Sequence, residues 1–169
     1  MIIRTEKESD YIKIYELVKE AFKTAEKSDG DEQDYVETLR KSDRYIPDFA
    51  LVAEDNDKII GHIMLTKTFV ATESRQVECL LLSPLCVALE YRKKGIGAKL
   101  INEVLNKAKK TKYKAVFLCG DPTYYGRFGF TQIKNFNITY TMDISEQYVL
   151  GCELYENALN GIGGSVSIV

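Results

Sequence analysis

Histidine is nearly absent from this chain: His62 is the one imidazole in 169 residues. The four cysteines, Cys79, Cys86, Cys119 and Cys152, contain no Cys-x-x-Cys pair and sit in apolar, strand-like surroundings. Zinc sites draw on clusters of these two residue types, so no metal is expected. The thiols read as buried and reduced. Long apolar runs are missing too. No stretch approaches the roughly 20 residues that cross a bilayer. Met1 to Ile14 carries charges throughout, with no apolar segment to serve as a signal peptide. A cytoplasmic protein with no membrane partner is the expectation. Net positive charge is lacking as well, since 23 Lys and Arg against 25 Asp and Glu leave −2. Nucleic-acid binders usually show an overall basic bias, so no nucleic-acid partner is expected. Cations gather at Arg92–Lys94 and again at Lys107–Lys114, where they suit the C-terminal end of a helix. There is no internal repeat, linker or low-complexity segment. With this length, a single domain over residues 1–169 is expected.

What is present reads as alternating strands and helices. Ile2-Ile3-Arg4 forms a short strand. Ile14, Leu17, Val18, Ala21, Phe22 and Ala25 recur at helical spacing, with Thr5 or Ser9 available to cap the start. The acidic stretch Glu26 to Asp34 reads as a loop, before a second helix through Tyr35, Val36 and Leu39. Pro47 and Asp48 precede a strand from Phe49 to Glu54, which turns at Asp55-Asn56-Asp57 into a long strand from Lys58 to Val70. A polar turn from Ala71 to Gln76 leads into a strand from Val77 to Leu89. The spacing then predicts a helix over Ala98–Lys109, a strand over Ala115–Cys119 and a short helix near Pro122–Phe128. Further strands fall around Phe136–Thr141 and in the tail from Gly163 to Val169. Antiparallel strands followed by a βαβ unit indicate an α/β (α+β) three-layer fold. Its central sheet is mixed and mostly antiparallel, with helices flanking it.

The most informative stretch is Tyr91-Arg92-Lys93-Lys94-Gly95-Ile96-Gly97-Ala98, set between a strand and an amphipathic helix. Such a turn suits a diphosphate, because small glycines admit the anion and amide N–H groups of the first helical turn point at it. Arg92, Lys93 and Lys94 add positive charge. A Gly-x-Gly before a helix can equally be just a tight turn. Two nucleotide motifs fail against the letters. A P-loop needs Gly-x-x-x-x-Gly-Lys-Ser/Thr, which does not occur. The dinucleotide fingerprint needs a third glycine where Leu100 stands.

The surviving pattern, Arg92-x-x-Gly95-x-Gly97-Ala98, resembles the pyrophosphate-binding signature of the GNAT superfamily of acetyl-CoA-dependent N-acetyltransferases. The segment from Val116 to Phe130 resembles the strand, short helix and terminal Gly-Phe that follow this turn in that fold. Its Gly120-Asp121-Pro122-Thr123-Tyr124-Tyr125-Gly126-Arg127-Phe128-Gly129-Phe130 wording is similar to the YhbS-like subgroup. So are Leu82-Ser83-Pro84-Leu85-Cys86-Val87, Glu153-Leu154 and Gly161. The resemblance runs from about Ile2 to the C-terminus and is most specific in the two central motifs. It implies acetyl-CoA as co-substrate. The diphosphate would lie on Arg92, Lys93, Lys94, Gly95, Ile96, Gly97 and Ala98, and the pantetheine arm against backbone groups of Leu85, Cys86 and Val87. Leu85 and Val87 read equally as plain core strand.

Acetyl transfer to an amine also needs a proton for the leaving thiolate. A tyrosine, with a reference pKa of about 10 against roughly 8.5 for a thiol, keeps its proton until the thiolate forms. By the resemblance Tyr125 occupies the place of the general acid, with Tyr124 beside it as the fallback. The attacking amine must lose a proton, and Glu78, Glu20, His62 or a water held by strand carbonyls are the candidates for the base; none is singled out. A lone strand histidine such as His62 is more often a structural hydrogen-bonder. Cys86 and Cys119 lack the oriented base that an acyl-cysteine mechanism needs, which favours direct transfer in a ternary complex. The acceptor is read as a small-molecule or peptide amine, recognised by the loop from Glu26 to Ile46 and by the tail after Phe130. A homodimer through strand edges is possible. The alternative to an N-acetyltransferase is a non-catalytic acyl-CoA sensor of the same fold.

Overall fold

Continuous apolar runs, buried on both faces, fold the N-terminal half around a hairpin. The computed structural model describes residues 1–168, so only the last residue of the tail predicted as a strand, Val169, lies outside them. The chain divides into two compact units. The first comprises residues 1–66 with 83–107. It holds β1 (Ile2–Thr5), β2 (Tyr45–Asp55) and most of β3 (Lys58–Ala71). The β2–β3 turn places Asn56 and Asp57 at φ 48° and 62°, the left-handed pair that a two-residue hairpin requires and that Asn and Asp tolerate. Pairing is antiparallel throughout, with Ile2 opposite Glu54 and Val52 opposite His62. β2 starts at Tyr45, ahead of the expected Phe49, and runs through Pro47 where its register with β3 shifts. A strand proline is tolerated at such an irregularity.

Strand periodicity gives the two faces of this hairpin different neighbours. Ala50, Val52 and Met64 pack with Ile14, Leu17, Val18 and Ala21 of α1 (Tyr11–Phe22) and with Val36 and Leu39 of α2 (Glu32–Arg40). On the other face lies α3 (Ile96–Ala108), whose Leu100, Ile101, Val104 and Leu105 are buried. It comes so close that a Cβ on Gly61 would stand 2.9 Å from Leu100 Cδ1 and 3.4 Å from Ala53 Cβ. Each buried Leu or Ile contributes about 1.5–3 kcal/mol. Neither Thr5 nor Ser9 caps α1. Asp10 stands there, and its carboxylate accepts the Lys7 N–H at 2.8 Å and the Arg4 guanidinium at 2.7 and 3.0 Å.

The second unit comprises residues 67–82 with the chain from Ala108 onward. In it the first part of β4 (Gln76–Val87) pairs in parallel with β5 (Ala115–Cys119), Leu80 lying opposite Val116. After β5 come α4 (Pro122–Tyr125), continued by a 3-10 turn over Gly126–Phe128, then β6 (Thr131–Gln132), β7 (Ile138–Tyr140), β8 (Val149–Glu153) and β9 (Gly164–Val166). β8 is antiparallel to β5 and β6; β9 is antiparallel to the end of β3 and parallel to β7. Phe117, Leu81, Val149, Ile138 and Val166 form the core. The result is the mixed, mostly antiparallel sheet with flanking helices that the sequence predicts. Strand β8 carries little sequence signal, because Gly151 interrupts its short buried run from Val149 to Cys152. Cys119, expected to be buried, is exposed at the end of β5.

Candidate active site

The turn after β4 is built from unusual backbone. A 3-10 turn over Leu89–Tyr91 leads into Lys93 at φ 61° and Gly95 at φ 79°. Glycine enters the left-handed region freely, whereas lysine is held there at a cost of about 1 kcal/mol. α3 then begins at Ile96, two residues earlier than its apolar spacing predicts. Gly97 and Ala98 therefore fall in the first turn, where N–H groups have no intrahelical carbonyl to bond; the helical ladder opens with Lys99 N–H to Gly95 O at 3.1 Å. Amides of a first turn, with the positive end of the helix dipole, form an anion site.

The basic residues differ in what they do. Arg92 is committed to protein acceptors: Nε to Val87 O at 3.2 Å, Nη1 to Thr24 Oγ1 at 2.9 Å and Nη2 to Ala21 O at 2.8 Å. Lys94 Nζ lies 5.2 Å from the centre of the Tyr91 ring. Leu85, Cys86 and Val87 end β4, with Cys86 buried in the α1 and α2 core and its two neighbours half-buried. Burial pushes the Cys86 thiol up to about 12, which leaves it protonated and without nucleophilic character near neutral pH. Ala88, Leu89 and Glu90 border a groove of about 600 Å³ against α1 and the β2–β3 turn; none of the predicted cofactor residues lines it.

The second motif places Tyr125 at the end of α4. Asp121 caps this short helix by accepting the Thr123 N–H at 2.9 Å, with Pro122 in the first turn. The Tyr125 ring packs edge-on to Tyr124 at 5.0 Å and to Phe130 at 5.8 Å. Its Cε2 stands 2.5 Å from where a Cβ on Gly120 would be, so only glycine leaves the ring its place. Burial, then negative charge at Tyr124 and Cys119, raises the Tyr125 hydroxyl above its ordinary value. It therefore holds its proton across the neutral range, as a proton donor must. Tyr124 is also raised by burial, with the Arg127 guanidinium opposing the shift from 4.8 Å above its ring.

The candidate bases separate clearly. His62 has no exposed side-chain surface, and its Nε2–H donates to Glu6 Oε2 at 2.9 Å. Glu6 also takes Arg40 Nε at 2.8 Å, Arg40 Nη2 at 3.0 Å and the Tyr45 hydroxyl at 2.8 Å. Burial alone would raise the Glu6 carboxyl, but the bonds from His62 and Arg40 prevail and bring it to about 2. His62 is thus a structural member of a buried ionic cluster, while its Nδ1 has no partner among the described residues. Glu20 is exposed and paired with Lys23. Glu78 is exposed, and its bond from Lys112 holds it below the ordinary carboxylate value, away from the range of an efficient base. Sequence reasoning missed Glu6, Arg40 and Tyr45. They carry no motif and meet His62 only through the fold. Among the described residues, no group of three or more His, Cys, Asp or Glu is placed to hold a metal.

Comparison with known proteins places the chain in a family. The model of the acetyltransferase (GNAT) domain matches residues 2–133, and the chain belongs to that family of acetyltransferases. The N-acetyltransferase YhbS of Escherichia coli K12 is 28% identical over 166 residues, which span 98% of this chain and 95% of that protein. The crystal structure of YhbS in complex with CoA superposes with a TM-score of 0.87, covering 98% of this chain and 88% of that one. A GNAT family acetyltransferase from Brucella melitensis in complex with acetyl-CoA gives 0.79 at 25% identity, covering 98% and 93%.

Proposed function

We propose that this acetyltransferase takes its acetyl group from acetyl-CoA and passes it to a primary amine by direct attack in a ternary complex. The observation that carries the reading is the start of α3 at Ile96, directly after left-handed Lys93 and Gly95. That backbone leaves the first-turn amides of α3 without intrahelical partners beside a left-handed lysine, and left-handed non-glycine residues cluster at ligand sites. The CoA and acetyl-CoA held by the two relatives are the matching ligand chemistry. In this reading the diphosphate rests on Gly95 to Ala98 with Lys93 and Lys94 beside it, and the pantetheine amides pair with the backbone of Leu85 to Val87. The amine, once neutral, attacks the thioester carbonyl; the tetrahedral intermediate collapses, the C–S bond breaks, Tyr125 gives its proton to the departing thiolate, and the proton shed by the new amide nitrogen returns to Tyr125 through solvent. The acceptor is a small-molecule or peptide amine, and the whole chain works as one acetyltransferase domain in the cytoplasm.

Calorimetric titration with acetyl-CoA, CoA and ATP tests it. Micromolar binding of both CoA compounds without binding of ATP is expected, followed by CoA release when amines are added. Absence of CoA binding overturns the reading. Binding without turnover on any amine makes the chain a sensor.

A further inference from the structure

We infer that Arg92 is a positioning residue that braces the diphosphate turn against the C-terminal end of α1 through Thr24 and Ala21. The inference rests on the cofactor reading above. The residue stands at the head of the basic turn, where charge alone suggests a ligand for the anion. Its three kinds of nitrogen nevertheless all face protein oxygens. Val87 O, where β4 ends and the turn begins, takes Nε at 3.2 Å. Ala21 O takes Nη2 at 2.8 Å, and Thr24 Oγ1 takes Nη1 at 2.9 Å.

These acceptors suit a cation. Ala21 lies in the last turn of α1, which ends at Phe22, so its carbonyl has no intrahelical partner and sits at the negative end of the helix dipole. Thr24 donates its own hydroxyl hydrogen to Ala21 O at 3.2 Å, which leaves the oxygen lone pairs to accept from Arg92. Guanidinium, Thr24 hydroxyl and Ala21 carbonyl thereby close a ring of three hydrogen bonds. The planar fork of arginine can span such a ring, whereas the single ammonium of lysine cannot satisfy all three acceptors in one geometry.

The brace has something to hold. Lys93 follows Arg92 directly in a left-handed conformation that its Cβ resists. Two residues later Gly95 repeats the left-handed turn, and α3 starts after it. A turn whose amides must converge on one anion gains from being fixed before the ligand arrives, because the ordering cost then falls outside binding. Arg92 thus serves the cofactor through the backbone it fixes, while Lys93 and Lys94 supply charge.

Thr24 permits a clean test, since it lies far along the chain from the turn and its hydroxyl can be removed without altering the turn itself. Thr24→Val, which keeps the shape, is expected to weaken acetyl-CoA binding about three- to ten-fold. Thr24→Ser, which restores the hydroxyl, should bind as the wild type does. Arg92→Lys should weaken binding about ten-fold or more despite its equal charge. Thr24→Val and Arg92→Lys should raise KM for acetyl-CoA in the measured order and leave kcat at saturation unchanged, while Thr24→Ser keeps the wild-type KM. Hydrogen exchange of the ligand-free proteins, read at Arg92 and Lys99, whose amides bond Leu89 O and Gly95 O, should be faster in Thr24→Val and Arg92→Lys than in the wild type. That readout needs no cofactor, so it separates failure of the brace from failure of the cofactor reading. Wild-type exchange and affinity in Thr24→Val, or a Thr24→Ser variant as impaired as Thr24→Val, overturns the inference.

Discussion

Replacing Glu6 by glutamine isolates the effect of one buried charge, because glutamine keeps the shape of the protonated acid. In the native protein the fully buried Glu6 side chain receives the Arg40 fork, the Tyr45 hydroxyl and His62. The substitution leaves the Arg40 side chain, 4% exposed, with Glu37 at 2.6 Å as its remaining charged partner. The Glu6 carboxyl lies at about 2 against an ordinary 4.5. That difference corresponds to about 3 kcal/mol of stability at neutral pH. Removing one partner of a buried ion pair costs about 3–5 kcal/mol, in agreement. At this chain length the loss lowers Tm by about 6–12 °C. Because the folded value is depressed, the contribution is complete above the unfolded value near 4.5 and drains away as pH falls toward 2. Glu6→Gln resembles the protonated state at every pH. The gap between the two proteins should therefore shrink from about 3 kcal/mol at pH 7 to about 1 kcal/mol at pH 3. Urea unfolding followed by circular dichroism at both pH values measures it. A gap under about 1 kcal/mol at pH 7, or one that does not narrow in acid, refutes the assignment.

Tyr125→Phe should lower turnover by roughly 10²–10⁴ while acetyl-CoA affinity stays near wild type, read by steady-state kinetics beside calorimetry; undiminished turnover removes Tyr125 from the mechanism. Gly120→Ala puts a methyl 2.5 Å from the Tyr125 ring, and the displaced ring should cost about 10- to 100-fold in kcat with acetyl-CoA binding retained. Wild-type kinetics in that variant would mean that the ring yields without consequence. Gly97→Asp places a carboxylate in the first turn of α3 and should weaken acetyl-CoA in calorimetry; unaltered affinity would move the diphosphate elsewhere.

The elements that were legible are those whose signal is local. Ile14, Leu17, Val18 and Ala21 mark α1, as Leu100, Ile101, Val104 and Leu105 mark α3, because a repeat of 3.6 residues shows within a dozen letters. The strand Ala115–Cys119 is found with its predicted bounds, since it is short, apolar and framed by Lys114 and Gly120. β8 escaped notice because Gly151 interrupts its short apolar run, which leaves only Val149 and Leu150 together. Within the site, the glycine turn and the Tyr124-Tyr125 motif are contiguous and therefore readable. The cluster of Glu6, Arg40, Tyr45 and His62 is not, since its members lie 34 to 56 residues apart from Glu6.

What the letters alone determined is the order of elements from β1 to α4, the family to which the chain belongs and the residues from which the turn is made, all written in neighbouring positions. The tertiary structure decided what the charged and polar side chains do. It joined the one histidine and Arg40 to the buried Glu6 carboxylate, and it set the exposed Arg92 against Ala21 and Thr24. The reason is physical: a buried charge is stable only beside a partner, and which partner comes within 3 Å is settled by distant parts of the chain packing together.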